Sequence, residues 1–338
     1  MIVLPIITLI VIFIHYWLLN NRHFGVVNML ILIYILMCLA ALVLDLFPKQ
    51  FPMLYGEANI SFEPMAYLSV CFIIIFWGFA GFRDQKLKSI KIERIFLYRA
   101  LESFLLIGGF LSILFFLPFA FTALTGDIAS KREMVVYGST VVVHGYTFAD
   151  FGIINSICSL MSNLFIIAQV CSFINLIPIN GKRNVCKAYL MLISSLSFVV
   201  YIFAYAGRDG VVYWLMSYVF CFLLFRNFLF KSDLKRIKRV FALVFAAIMI
   251  PFLMISKSRF SEMEGGTVLW FINYAGMQLR NFNNHYQIEF PLLYGRHTFP
   301  IIYDFLKLVG FDISSKFDID IFLCYIYFNY CFISKFKQ

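Results

Sequence analysis

Charged residues are scarce in this chain: Asp, Glu, Lys and Arg make up only 14% of it, against 62% hydrophobic residues. Soluble globular proteins carry about 25% charged residues, so the composition excludes an ordinary soluble domain. No internal repeat, low-complexity tract or soluble linker interrupts the apolar sequence, and no segment is left over for a soluble catalytic domain. The composition therefore indicates an integral membrane protein.

Several signatures of catalysis are also missing. The sequence has no Gly-rich phosphate loop, no GxSxG, no HExxH and no nucleotide-binding strand-turn-helix pattern, so we expect no nucleotide donor. None of the eight cysteines forms a CxxC or a Cys/His cluster, and His285 and His297 stand at no metal-ligand spacing. We therefore predict no metal and no cofactor, and we interpret the cysteines as small buried hydrophobic residues.

What is present is a series of nine apolar runs. A helix needs about 20 apolar residues to cross a hydrocarbon core of about 30 Å. The runs are Met1 to Leu19, Val26 to Phe47, Met65 to Phe82, Ala100 to Leu124, Phe151 to Ile179, Ala188 to Ala206, Val211 to Phe230, Val240 to Ile255 and, weakly, Ile319 to Ile333. They are continuously apolar rather than alternating, which favours helices over a β-barrel. The sequence predicts an all-α polytopic membrane protein with about nine transmembrane helices.

The net charge of +10 is distributed as a topology signal rather than as a nucleic-acid surface. Three connecting segments are compact and basic: Arg83 to Arg99, Asn180 to Lys187 and Arg226 to Arg239. The positive-inside rule assigns them to the cytoplasm and puts the N-terminus on the outer side of the membrane. We expect these cations to contact anionic lipid headgroups.

The segment from Ser256 to Asp318 is too long for a simple connector. Connections of this length are usually functional or disordered, and its many aromatic residues argue against disorder. We therefore divide the chain into a transmembrane helical domain (1–255), one large outer loop (256–318) and a weak last helix with a tail (319–338).

The stretch "GRDG" (207–210) places a charge pair between two apolar helices. The glycines allow a sharp turn and close approach of another group. One interpretation is an interfacial anchor, with Arg208 snorkelling and Asp209 capping the next helix. The other is an anion site, because a guanidinium beside a helix N-terminus suits a phosphate. The two deserve about equal weight.

Two stretches of the long loop, "QLRNFNNHY" (278–286) and "YGRHTFP" (294–300), combine Arg, His, Asn and aromatic residues. Rings stack on sugars, amides hydrogen-bond to hydroxyls and guanidinium groups pair with phosphate. For any single residue a packing or surface role remains the better interpretation. As a set, they favour binding of a carbohydrate that carries phosphate.

Together, the apolar spans, the "GRDG" turn and an outer loop with "INYAGMQLRNFN" and "YGRHTFP" resemble the oligosaccharide repeat-unit polymerases (Wzy type) of bacterial O-antigen and capsule synthesis. The resemblance extends over Ala188 to Gly310 at motif level, and elsewhere only as hydropathy. It implies a fold similar to that of lipid-dependent membrane glycosyltransferases, which act on the periplasmic side of a bacterial inner membrane. The N-terminus and the large loop (256–318) are therefore expected to be periplasmic. The resemblance further implies undecaprenyl-pyrophosphate-linked glycans and membrane lipids as partners, with a chain-length regulator and a flippase nearby.

The resemblance also implies roles for individual residues. The groups expected to bind pyrophosphate or glycan are Arg208, Arg259, Arg280, Asn283 and Arg296, and those expected to act as base are Asp209, His285 and His297. The end of the chain departs from the family pattern, because the run from Ile319 is short and interrupted by Asp320. An O-antigen ligase and a flippase or transporter of lipid-linked oligosaccharide stay open as alternatives.

Overall fold

The computed structural model describes residues 1–46, 60–82, 87, 90–125, 142–143, 146–178, 183–260 and 266–286. These residues are almost entirely helical, which confirms the prediction of an all-α membrane protein. The helices are α1 (Val3–Leu19), α2 (Val26–Leu46), α3 (Phe62–Trp77), α4 (Ile95–Leu124), α5 (Ile153–Asn163), α6 (Phe165–Leu176), α7 (Val185–Ser195), α8 (Ser197–Ala204), α9 (Asp209–Phe225), α10 (Lys231–Phe260) and α11 (Gly266–His285). Two short strands, β1 (Val142–Val143) and β2 (Tyr146–Thr147), pair antiparallel beside α4.

Five helical segments are long and apolar enough to cross a membrane: Val26–Leu46, Ile95–Leu124, Val185–Ala204, Asp209–Phe228 and Lys231–Lys257. A sixth is the pair α5 and α6, which is bent by 48°. Helices α1 and α3 are apolar but shorter. The ninth predicted run, Ile319 to Ile333, lies outside the described residues, so nine spans stay a prediction.

The core consists of two main clusters of buried side chains. The larger cluster contains residues of every helix from α4 through α10 and surrounds Trp214, which is fully buried. The smaller joins α1, α2 and α3, and it also contains Leu279 and Phe282 of α11. Packing of the start of α2 against the end of α9, through residues such as Val26 and Leu223, links the two.

Two of the spans are interrupted near their middle, and the interruptions are packed together. The helix bends by 48° at Leu164 between α5 and α6, and a single turn residue, Leu196, separates α7 from α8. The residues just beyond the interruptions, Phe165 and Phe198, stack with ring centroids 4.1 Å apart. Both spans also pack closely against α4 at two glycines. A Cβ on Gly108 would overlap Met161 of α5, and a Cβ on Gly109 would overlap Ser194 of α7.

Two predicted boundaries were wrong. Helix α10 begins at Lys231 rather than near Val240, so most of the basic segment Arg226 to Arg239 is helical. Lys and Arg are good helix formers, so this helix continues beyond the apolar residues that hydropathy detects. Helix α4 begins at Ile95, five residues before the predicted run, and residues 95–98 of this extension are themselves apolar or aromatic.

The segment 256–318 is not a simple loop in the part that the structure describes. Residues 256–260 complete α10, and Gly266–His285 forms α11. This helix is too polar to count among the candidate spans. It nevertheless packs along α2, where a Cβ on Gly276 would lie 2.6 Å from the backbone nitrogen of Ala41. Close packing through small residues explains why a half-polar sequence is held as a helix here.

Candidate functional site

The turn between α8 and α9 has a well-defined local cause. The amide of Ala206 donates to the carbonyl of Phe203, and the amide of Gly207 donates to that of Ile202. This is a Schellman ending, with Ala206 in the left-handed position at φ 49°. A Cβ on Gly207 or Gly210 would come within 2.8 Å of the Ile202 side chain. The two glycines are therefore needed for close approach, as the sequence predicts, while the left-handed residue is Ala206.

Arg208 follows this turn and is buried, with 8% of its surface exposed. Its Nη1 donates to the hydroxyl of Ser256 at 3.1 Å. Its guanidinium carbon lies 5.5 Å from the ring centroid of Phe271 and 4.9 Å from that of Tyr274. The anchor interpretation, in which Arg208 snorkels to the surface, was therefore wrong, because the side chain is held between α10 and α11.

The position of Arg208 suits an anion. It is the residue immediately before α9, whose first backbone N–H groups have no partner within the helix. A helix N-terminus and a guanidinium both stabilise negative charge. Aromatic rings contact the face of a guanidinium and leave its N–H groups, which lie at the edge, able to donate hydrogen bonds.

Helix α11 presents a polar stripe on the side that faces Arg208. Spacing of three and four residues aligns Tyr274, Gln278, Asn281 and His285 on one side of the helix. Tyr274 and Gln278 are exposed, and Asn281 and His285 are half-buried. Because Tyr274 contacts Arg208, the stripe begins at the guanidinium and runs to the end of α11.

His285 lies at the far end of this stripe. It is eleven residues beyond Tyr274, which at 1.5 Å per residue is about 16 Å along α11. Its Nδ1 lies 2.7 Å from the carbonyl oxygen of Asn281. A carbonyl only accepts, so Nδ1 is the donor in this contact. The structure thus does not bring His285 to Arg208.

Asp209 is the candidate base that the structure places beside Arg208. It is the first residue of α9, and its side chain is exposed. The N-cap residue of α9 is Arg208, whose side chain makes no capping hydrogen bond, and Asp209 is an acidic residue in the first turn, where its negative charge interacts favourably with the helix dipole.

Two other predicted binding residues make structural contacts. Arg280 is buried, and its Nη2 donates at 3.0 Å to the carbonyl of Leu44, in the last turn of α2. The Oδ1 of Asn283 accepts from the amide of Ser61 at 2.9 Å, immediately before α3. Both contacts attach the second half of α11 to the ends of neighbouring helices, so Arg280 and Asn283 have a structural role in positioning this helix.

The remaining predicted site residues are only partly within reach of the structure. Arg259 belongs to the last turn of α10, one turn beyond Ser256, and its side chain lies outside the described part of the chain. Arg296 and His297 lie outside the described residues altogether. In the described ranges, no three His, Cys, Asp or Glu side chains are grouped so as to hold a metal ion.

Sequence reasoning missed a buried ion pair at the opposite end of α7 and α8 from Arg208. Lys187 bridges to Glu102 of α4, whose side chain is 2% exposed, and the Asn175 amide also donates to Glu102. The Tyr98 hydroxyl lies 3.3 Å from the same amide. Glu102 stands inside an apolar run, and this exception was the available signal.

The partners of Arg208 were missed too. Phe271 and Tyr274 are three residues apart, so they share a helix face, but this spacing carries meaning only once the segment is known to be helical.

Comparison of the chain with models of protein families, with curated proteins and with solved structures found no match.

Proposed function

We propose that the chain is a membrane glycosyltransferase that polymerises lipid-pyrophosphate-linked repeat units. The bond between the anomeric carbon of the donor glycan and its pyrophosphate breaks. A hydroxyl of the acceptor glycan forms the new bond to that carbon and loses its proton to a base. Undecaprenyl pyrophosphate leaves with the bonding electrons, so the main demand on the protein is to stabilise its charge.

The observation that carries this proposal is the cage around Arg208. The rings of Phe271 and Tyr274 and the Ser256 hydroxyl hold the guanidinium in a fixed position. A fixed cation at a helix N-terminus, away from bulk water, stabilises a developing phosphate charge without first having to reorganise. Loss of one such group typically lowers the rate by about 10²–10³-fold.

The neighbouring residues take complementary roles. Asp209, adjacent to Arg208, is the base that accepts the proton of the acceptor hydroxyl. Gln278 and Asn281 lie between Arg208 and His285 on the stripe, where their amides can bind glycan hydroxyls. His285, about 16 Å from Tyr274 along the helix, is assigned to a more distant sugar rather than to the reacting carbon.

The test is complementation in a bacterial strain that lacks its own polymerase, with the surface glycan separated on a gel. Arg208→Ala should abolish the ladder of chain lengths. Arg208→Lys should lose nearly as much, because an ammonium group cannot make the paired contacts of a guanidinium. Arg226→Ala is the matched control: Arg226 directly follows the other end of α9 and donates to the carbonyl of Phe24.

Protein amount in the membrane is measured for each variant, so that a folding defect is recognised. A full ladder from Arg208→Ala at normal protein level contradicts the proposed role of Arg208. If wild type and variants all give only single-repeat glycan, polymerisation itself is contradicted. A wild-type product with no ladder but with glycan transferred to the lipid A core would identify the ligase alternative.

A transporter of the same lipid-linked glycan is a second candidate, favoured by one observation. Buried polar residues lie in the middle of several spans: Ser112, Ser162, Gln169, Ser194, Ser195 and Ser197. Polar residues and broken helices at mid-membrane are typical of transport pathways. Restored glycan export in a flippase-deficient strain, with no effect in the polymerase-deficient strain, would favour this function.

A further inference from the structure

The first three turns of α10 carry a dense group of exposed cations. They are Lys231, Lys235, Arg236, Lys238 and Arg239. The acidic residue in these turns, Asp233, is buried and pairs with Arg183 at 2.6 Å. Cations near a helix N-terminus oppose the helix dipole, so an external anion at this surface stabilises the helix.

The same face of α10 continues as an exposed apolar stripe. Lys235 and Arg239 are followed, at spacings of three and four residues, by Ala242, Ala246, Ile250 and Leu253. All six side chains are exposed, Ile250 to 63% and Leu253 to 52%. Cations and apolar residues therefore share one continuous face, which points away from the protein core.

Helix α10 has little protein packed around it. Only 22% of the most apolar stretch of this helix is buried in the protein, which is the smallest share among the five candidate spans. Ala242 and Ala246 carry small side chains, and the neighbouring Leu243 is 72% exposed. An acyl chain can pack closely against this face, because small residues allow close approach.

We propose that this face of α10 is a binding site for an anionic phospholipid. The headgroup phosphate lies between Lys235 and Arg239, which stand one turn apart. One acyl chain lies along Ala242, Ala246 and Ile250. From Ala242 to Leu253 is eleven residues, about 16 Å, which matches the half-thickness of about 15 Å of the hydrocarbon core.

The site has a consequence for the other end of α10. Asp233 and the lipid hold the beginning of this helix, and Ser256 near its end binds Arg208. A lipid that stabilises α10 in its observed position therefore also supports the contact to Arg208. The site rests on charge and shape, and it stands whether or not the proposed glycan chemistry is right.

The test uses the full-length protein in a neutral detergent and counts bound lipid by native mass spectrometry. The probes are dioleoyl phosphatidylglycerol, which is anionic, and dioleoyl phosphatidylcholine, which is zwitterionic. Wild type should prefer phosphatidylglycerol. Each cation near an anionic headgroup contributes about 1 kcal/mol, so Lys235→Gln with Arg239→Gln should weaken its binding about 30-fold.

The matched control is Arg94→Gln with Arg99→Gln, which removes the same charge from exposed positions at the start of α4. It should weaken binding clearly less than the α10 variant does, because these two cations contact headgroups in general but do not belong to the proposed site. A second variant, Ala242→Gln with Ala246→Gln, keeps both cations but makes the apolar face of α10 polar. It should also weaken binding. Thermal unfolding without added lipid identifies variants that have lost their fold.

Three results would overturn the site. The first is an equal loss in the α10 and α4 variants, which would mean a general surface charge. The second is equal binding of phosphatidylglycerol and phosphatidylcholine. The third is displacement of the lipid by glycerol phosphate at the same concentration, because a headgroup-only site would need no acyl chain.

Discussion

The guanidinium carbon of Arg208 lies 4.9 Å from the ring centroid of Tyr274, which joins the start of α9 to the middle of α11. This contact makes α11, rather than an irregular outer loop, part of the candidate site. It also places Arg208 at one end of the polar stripe on α11.

Replacement of Tyr274 by leucine should lower stability through loss of the cation–π contact. The expected loss is about 0.5–2 kcal/mol, whereas Tyr274→Phe keeps the ring and should stay close to wild type. Thermal unfolding in detergent measures both, with the exposed Tyr213→Leu as control. If Tyr274→Leu is equally destabilising in an Arg208→Ala background, the two side chains are not coupled and the inference fails.

Gly276 should tolerate no side chain. In most helices Gly→Ala is stabilising by about 1 kcal/mol, but here the new Cβ would overlap the backbone of Ala40 and Ala41. We expect Gly276→Ala to destabilise the protein by about 1–3 kcal/mol. Gly81→Ala is the control, since nothing lies within 4 Å of a Cβ there. Equal unfolding temperatures for the two variants would contradict the observed α2–α11 contact.

Removal of either partner of the Glu102–Lys187 pair should lower the stability of the protein, and the loss should differ between the two partners. Removal of one partner of a buried ion pair costs about 3–5 kcal/mol. Lys187→Gln should be the worse variant, because the Glu102 side chain is 2% exposed, whereas the Lys187 side chain is 23% exposed and can reach water.

The double variant Glu102→Gln with Lys187→Gln should recover part of that loss, because it leaves no buried charge. A double-mutant cycle from thermal unfolding in detergent measures the coupling. Strictly additive losses would mean that the two side chains do not interact in the membrane.

The predicted orientation can be checked by cysteine labelling in intact cells. Cys186 is exposed and belongs to the segment expected in the cytoplasm, so a chain that keeps only this cysteine should react with an impermeant maleimide after permeabilisation alone. Asp209→Cys in a cysteine-free chain should react without permeabilisation. The reverse pattern would place the Arg208 site on the cytoplasmic side and remove the basis for the proposed polymerase.

Much of the local structure could be predicted from sequence. The apolar runs from Val26 and from Ala188 are helices, because a helix satisfies its backbone hydrogen bonds within its own segment. Such a span can be recognised from the sequence without knowledge of its partners. The "GRDG" turn was likewise evident, because glycine beside a charge pair is a local signal.

The candidate site depended on distant partners. Ser256 lies 48 residues from Arg208, and Leu44 lies 236 residues from Arg280, so neither pairing leaves a pattern in the local sequence. Helix α11 was missed because its hydropathy is too low for a span, and its backbone is ordered by Ala40 and Ala41 of α2.

The sequence by itself determined the membrane class and the positions of the apolar helices, because burial in lipid requires only a long apolar run. The tertiary structure alone decided that Arg208 is buried between two rings, that Glu102 pairs with Lys187, and that a polar segment packs as α11. Each of these depends on contacts between residues far apart in the chain, where the low dielectric constant and close packing of the folded interior give the contact its strength.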